Sequence, residues 1–187
     1  MMRLQKTIIA AALAAQLAGC AAPSYRAELL DAQANAPYTL SSGDRLRVIV
    51  FGQDSLSNSY SVDGSGNIAM PLIGSVHAQG QSTQSLERAI EAKLRDGFLR
   101  EPKVAAEVEA FRPFYIIGEV TTAGQYPFVN GMSVQNAIAI AGGFTPRGWN
   151  RGADVTRVID GQTVTGTVPL TYMLRPGDTV TVRERFL

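Results

Sequence analysis

The sequence predicts an α+β chain of two small domains, each a set of short strands around one helix. Three observations carry this. Several short runs alternate apolar and polar residues at period two, among them KVAAEVEA (103–110) and ADVTRVID (153–160), as half-buried strands do. One segment, 82–96, carries a helical stripe instead. The pattern then restarts after Arg112-Pro113, with strands gathered around a second, shorter helix.

The N-terminus comes first. Arg3 and Lys6 precede an apolar run, Thr7 to Ala18, and the small residues Ala18 and Gly19 lead into Cys20. This three-part pattern is that of a secretory signal peptide. The run is shorter than the ~20 apolar residues a spanning helix needs. Leu17-Ala18-Gly19-Cys20 resembles the lipobox of bacterial lipoproteins, which implies a signal peptide over 1–19 and lipidation of Cys20. Ala21 after the cysteine, by the same resemblance, implies the outer membrane. Residues 20–37, ending in Pro37, are expected to be a tether.

RLRVIVF (45–51) reads as a strand with Leu46, Val48 and Val50 on one face. SYSV (59–62) and NIAM (67–70) flank Asp63-Gly64-Ser65-Gly66, which predicts a hairpin. In 82–96, Leu86, Ile90, Leu94 and Phe98 share one face. Ser82 or Thr83 caps the start, Gly97 ends it, and the helix's charges are expected to face solvent. KVAAEVEA closes the first unit.

FYIIGEV (114–120) opens the second, followed by QYPFV (125–129). Ser133 caps a helix at 134–141 that Gly142-Gly143 stop. ADVTRVID and QTVTGTV (162–168) flank Asp160-Gly161, a hairpin signal, and DTVTVRERF ends the chain. Ser42-Gly43-Asp44-Arg45-Leu46-Arg47-Val48 is echoed by Pro176-Gly177-Asp178-Thr179-Val180-Thr181-Val182. In each, the glycine makes a turn and the aspartate is free to bond a backbone N–H. Gly43, Gly64, Gly118, Gly124, Gly142, Gly143 and Gly177 are read as turn positions, with Asp44 and Asp178 beside two of them.

Composition narrows the function. The chain has 17 basic and 16 acidic residues. Loss of Arg3 and Lys6 with a signal peptide leaves 15 basic residues and a charge near −1, which argues against nucleic acid as a partner. Cys20 is the single cysteine, so no disulfide forms within the chain. His77 is the single histidine, read as a polar loop residue, and neither a metal site nor a cofactor is expected. No nucleophile elbow or phosphate loop is present. Asp63, Glu119 and Asp154 are carboxylates of the kind a glycoside hydrolase pairs, but catalytic residues are not expected. The loop at 144–152 is more suggestive. Arg147, Trp149, Asn150 and Arg151 suit glycan contact or a subunit interface, and Trp149 equally suits a cover folded over the core.

YTLSSGDRLRVIVFG, VDGSGNIAMPLIGSVHAQG, GEVTTAGQYPFVNGMSVQNAIAIAGGFT and LRPGDTVTVRERF, in this order behind a lipobox, resemble the outer-membrane polysaccharide export family. The resemblance implies a polysaccharide-export domain over 38–111 and a soluble-ligand-binding β-grasp (SLBB) domain over 112–187. It implies a homo-oligomeric ring around a conduit for capsule or exopolysaccharide, lipid-anchored in the outer membrane and facing the periplasm. An inner-membrane chain-length regulator or tyrosine kinase would be the partner below. Better-known members end in an amphipathic pore helix, whereas this sequence stops at Leu187 after a strand. A periplasmic ring alone, or one completed by a separate outer-membrane β-barrel, is therefore expected. The alternative is a glycan- or partner-binding scaffold lipoprotein without a conduit.

Overall fold

The computed structural model describes residues 27–34 and 36–185. Cys20 and the expected signal peptide lie outside them. Helix α1 spans Ala27–Ala34, and the first sheet has the order β2 (Asn58–Ser61), β1 (Arg45–Val50), β5 (Val104–Ala110), all antiparallel. A separate hairpin joins β3 (Asn67–Met70) to β4 (Gly74–His77), and helix α2 runs over Thr83–Arg95. The second sheet has the order β7-β6-β10-β8-β9. Its strands are β6 (Phe114–Gly118), β7 (Gly124–Tyr126), β8 (Ala153–Ile159), β9 (Gln162–Val168) and β10 (Thr179–Val182), with helix α3 at Val134–Ile140. The last strand lies between β6 and β8, parallel to β6 and antiparallel to β8. The chain thus forms two small α+β units, the second with the mixed sheet and single helix of a β-grasp.

Each unit has its own core. In the first, Leu46, Val48 and Val50 from β1 meet Leu86, Ile90 and Leu94 from α2, all buried. Each such side chain contributes about 1.5–3 kcal/mol when removed from water. Ser82 caps α2, its Oγ accepting from the Ser85 N–H at 3.2 Å. In the second, Val134, Ala137 and Ile138 of α3 pack on Phe114, Ile116, Val155 and Val180. Ser133 and Asn136 form a reciprocal capping box at its start, satisfying N–H groups the helix leaves open.

The structure corrects several sequence readings. Residues 63–66 do form a turn, with Asp63 Oδ1 accepting from the N–H groups of Ser65 and Asn67. The flanking strands do not pair with each other: β2 pairs with β1, and β3 with β4. The cause is Gly66, whose carbonyl accepts from Ala78 and Gln79 and draws the chain toward β4. Gly66, not Gly64, holds the positive φ, and Gly124 begins β7 without one. His77 is on a strand, not in a loop, beside Asn67.

Phe98 leaves the α2 stripe and is 49% exposed. Two charges of α2 are not merely solvated. Glu91 Oε1 accepts from Val104 N–H at 3.1 Å, and Glu87 Oε1 from Ala106 N–H at 2.8 Å, closing the outer edge of β5, which would otherwise offer unpaired amides. Within the expected tether, α1 is ordered into the fold, and its Leu30 is fully buried in the second core.

Candidate functional site

The two Gly-Asp repeats lie at the junction of the domains. Each makes the same local device. The Asp44 N–H donates to Ser41 O and the Asp178 N–H to Arg175 O, both at 3.1 Å. In return the carboxylates accept from the Ser41 and Arg175 N–H groups, both at 2.8 Å. Both aspartates are fully buried, so their charges need partners. Asp178 has Arg157, which donates from Nε at 2.8 Å and Nη2 at 2.7 Å. Asp44 accepts the Tyr38 hydroxyl at 2.5 Å and the Arg112 N–H at 3.0 Å, with Arg112 Nη1 at 3.7 Å.

Arg112 is the hinge between the repeats. A Cβ added to Gly43 would lie 3.4 Å from its Cβ, and one added to Gly177 would lie 2.6 Å from its Nε. Both glycines hold φ near +90° (91° and 85°), where a side chain is strained. Around this point, Arg157 and Tyr172 reach the Leu30 carbonyl at 3.5 and 2.8 Å. Arg175 donates to the carbonyls of Gln33, Ala36 and Pro37, so the second domain grips the segment that leads in from the N-terminus. Burial, then Asp44, pushes the Tyr38 hydroxyl pKa well up. Burial opposes the Arg157 charge, but Asp178 outweighs it and raises that pKa. Burial lowers the Arg175 pKa, and the nearby Arg157 lowers it further.

The loop at 144–152 sits at the end of β10. It runs antiparallel to residues 183–185, through Trp149 N–H to Arg183 O and Arg185 N–H to Arg147 O, each 2.8 Å. Trp149 is half-buried and folds back onto Gly152, where an added Cβ would lie 3.2 Å from the ring. Arg147 is 71% exposed and pairs with Glu119 and Glu184 at 3.4 and 3.5 Å. Asn150 and Arg151 are exposed, and beside them Arg183 grips Asp154 and Thr167.

The three carboxylates singled out in the sequence are not brought together as a pair. Asp63 holds its turn, Glu119 accepts from Thr145 and Arg147, and Asp154 from Thr167 and Arg183. Among the described residues no three His, Cys, Asp or Glu side chains are placed to hold a metal ion. No described helix is long and apolar enough to cross a membrane. Tyr38, Arg112, Arg157 and Arg175 were missed from the sequence. The Gly-Asp echo pointed to the carboxylates, and only the fold brings the arginines to them.

Comparison with known proteins finds two matches, one after the other along the chain. Residues 32–109 match the family of polysaccharide biosynthesis/export proteins, and residues 113–168 match the SLBB domain. The exopolysaccharide production protein ExoF of Rhizobium meliloti (strain 1021) is 32% identical over 118 residues, 57% of this chain and 28% of ExoF. The polysialic acid transport protein KpsD of Escherichia coli is 30% identical over 127 residues, 67% of this chain and 22% of KpsD. The chain therefore spans less than a third of the length of these relatives.

Proposed function

This chain belongs to the polysaccharide biosynthesis/export family, with one SLBB domain, and on that premise we propose that it is a non-enzymatic, lipid-anchored subunit of a capsule or exopolysaccharide export channel. The observation that carries the reading is the order of the two matches, export then SLBB, on domains braced through Arg112. Relatives named for exopolysaccharide production and polysialic acid transport support it.

The mechanism is geometric. Copies of the chain close into a ring beneath the outer membrane, Cys20 lipid holds the ring there, and the polymer passes through. A braced junction suits this role, because a closed ring repeats one subunit shape and tolerates little bending within it. An inner-membrane chain-length regulator or tyrosine kinase sits below, and a separate outer-membrane β-barrel completes the path, since an open sheet edge cannot face lipid. The exposed residues Arg147, Asn150 and Arg151 contact a neighbouring subunit or the glycan, with Trp149 holding their loop.

The test is polymer export in the native host. Deletion of the chain is expected to trap polymer inside the cell, and Cys20→Ser to release the protein from the membrane fraction and lower export. Normal surface polymer in the deletion strain would contradict the export role. A scaffold lipoprotein without a conduit is the alternative, and it predicts no closed ring.

A further inference from the structure

We propose that the cleft between the two domains is a binding site for an acidic sugar, one carrying a carboxylate. The cleft has a volume of about 610 Å³, within the ~300–1,000 Å³ of small-molecule sites, which favour domain interfaces. The first domain supplies Tyr38, Ser42 and Gln79, the second supplies Asp160 and Arg175, and Arg112 stands where the two join. Three arginines, Arg112, Arg157 and Arg175, line it, while two buried aspartates, Asp44 and Asp178, stand behind them. With Asp160 counted, the three guanidinium charges are matched by three carboxylates, and the cation left open to a ligand is Arg112, whose Nη1 stands 3.7 Å from Asp44. The lowered Arg175 pKa, caused by burial and then by the neighbouring Arg157, fits such a crowd of cations.

The donors are also unevenly used. Arg112 commits Nη1 to Tyr38, while its Nη2 has no partner among the described residues. Gln79 accepts from Ser42 through Oε1, and its amide nitrogen is likewise unpaired among them. Guanidinium and carboxylate match as a charge-assisted pair. The exposed Asp160 at the hairpin tip is an acceptor for sugar hydroxyls, which a bare anion lacks. A carboxylate on Arg112 with hydroxyls toward Gln79 and Asp160 uses both kinds of group. Such a unit could come from the exported polymer or from a free sugar, and the chemistry of recognition is shared. The choice of a sugar rests on the export reading; the open guanidinium of Arg112 does not.

The experiment is equilibrium dialysis of the full chain in detergent against D-glucuronate, D-glucose and acetate, with hydrogen exchange measured on the same samples. Glucuronate is expected to be retained and to protect residues 38–42 and 175–178, with glucose and acetate each held at least about tenfold more weakly. Arg112→Gln is expected to weaken glucuronate binding about tenfold. Because Arg112 also braces the domains, Gln79→Ala and Asp160→Ala serve as second variants on exposed positions, and each is expected to weaken glucuronate and leave acetate unchanged. An acidic oligosaccharide cut from the host's own polymer, dialysed alongside, separates the sources: tighter retention than glucuronate assigns the site to polymer. Acetate held as tightly as glucuronate, or glucuronate giving no protection in the cleft, overturns the proposal. A chain that supports export but holds no glucuronate overturns the cleft alone and leaves the export reading standing.

Discussion

The two Gly-Asp turns use one local device for opposite ends. At Asp178 the carboxylate closes on Arg157, which lies on β8 of the same domain, and both side chains are buried. At Asp44 the carboxylate reaches across the chain's midpoint to Arg112 and takes the Tyr38 hydroxyl besides. Local sequence made both turns alike. What differs is the partner, and the partner decides the role. Asp178 fixes a fold, because a buried pair stripped of one member leaves a bare charge in the core. Asp44 fixes the placement of one domain on the other, because its ligands belong to the segments that enter and leave the first domain.

The sharpest way to break this comparison is substitution at the two aspartates. Asp178→Ala is expected to cost about 3–5 kcal/mol by orphaning Arg157, and to unfold the second domain in thermal or urea denaturation. Leu30→Ala is expected to cost about 2–5 kcal/mol in the same domain, since its side chain is fully buried there. Asp44→Ala is expected to cost about 1–3 kcal/mol and to leave both cores folded. Its signature is a widened distribution of interdomain distances, read by spin labels on exposed sites of each domain. If Asp44→Ala melted the first core as Asp178→Ala melts the second, the contrast would fail.

A smaller effect tests the Tyr38 bond. Tyr38→Phe is expected to cost about 1 kcal/mol near neutral pH. The folded Tyr38 pKa is raised, by burial and then by Asp44, so the folded state holds its proton where the unfolded chain gives it up. The stability tied to that proton is whole below about pH 10, the unfolded phenol value, and falls as pH rises above it. Tyr60 and Tyr172 are raised too, first by burial, so the variant should flatten only part of the alkaline loss. The smallest effect belongs to the outer loop. Asn150→Ala and Arg151→Ala are expected to change stability by less than about 0.5 kcal/mol, and a change in assembly or export from either would mark a contact surface.

How much of this was readable depended on the range of each interaction. Helices α2 and α3, their serine caps and the Asp160-Gly161 hairpin are local, and their residues declared them. The partners of β2 and β3 were misread because the turn at 63–66 is real and its long-range pairing is not in the turn. Strand β4, GSVH, buries a single apolar residue, Val76, too few for alternation to register. Arg157 falls on the buried face of β8 with Ala153 and Val155, yet nothing near it in sequence names Asp178 as its partner. The helical glutamates Glu87 and Glu91 looked like a solvated face because the strand edge they cap lies beyond the helix. The contact of Trp149 with Gly152 spans only three residues, yet no periodicity in the loop announces it.

The export reading meets its most direct test in the lipidated chain extracted in detergent, with mass from light scattering and symmetry from negative-stain images. The account predicts a closed ring of identical subunits around a central opening. A strict monomer at every concentration, lipid intact and in the presence of its barrel and inner-membrane partners, would contradict it.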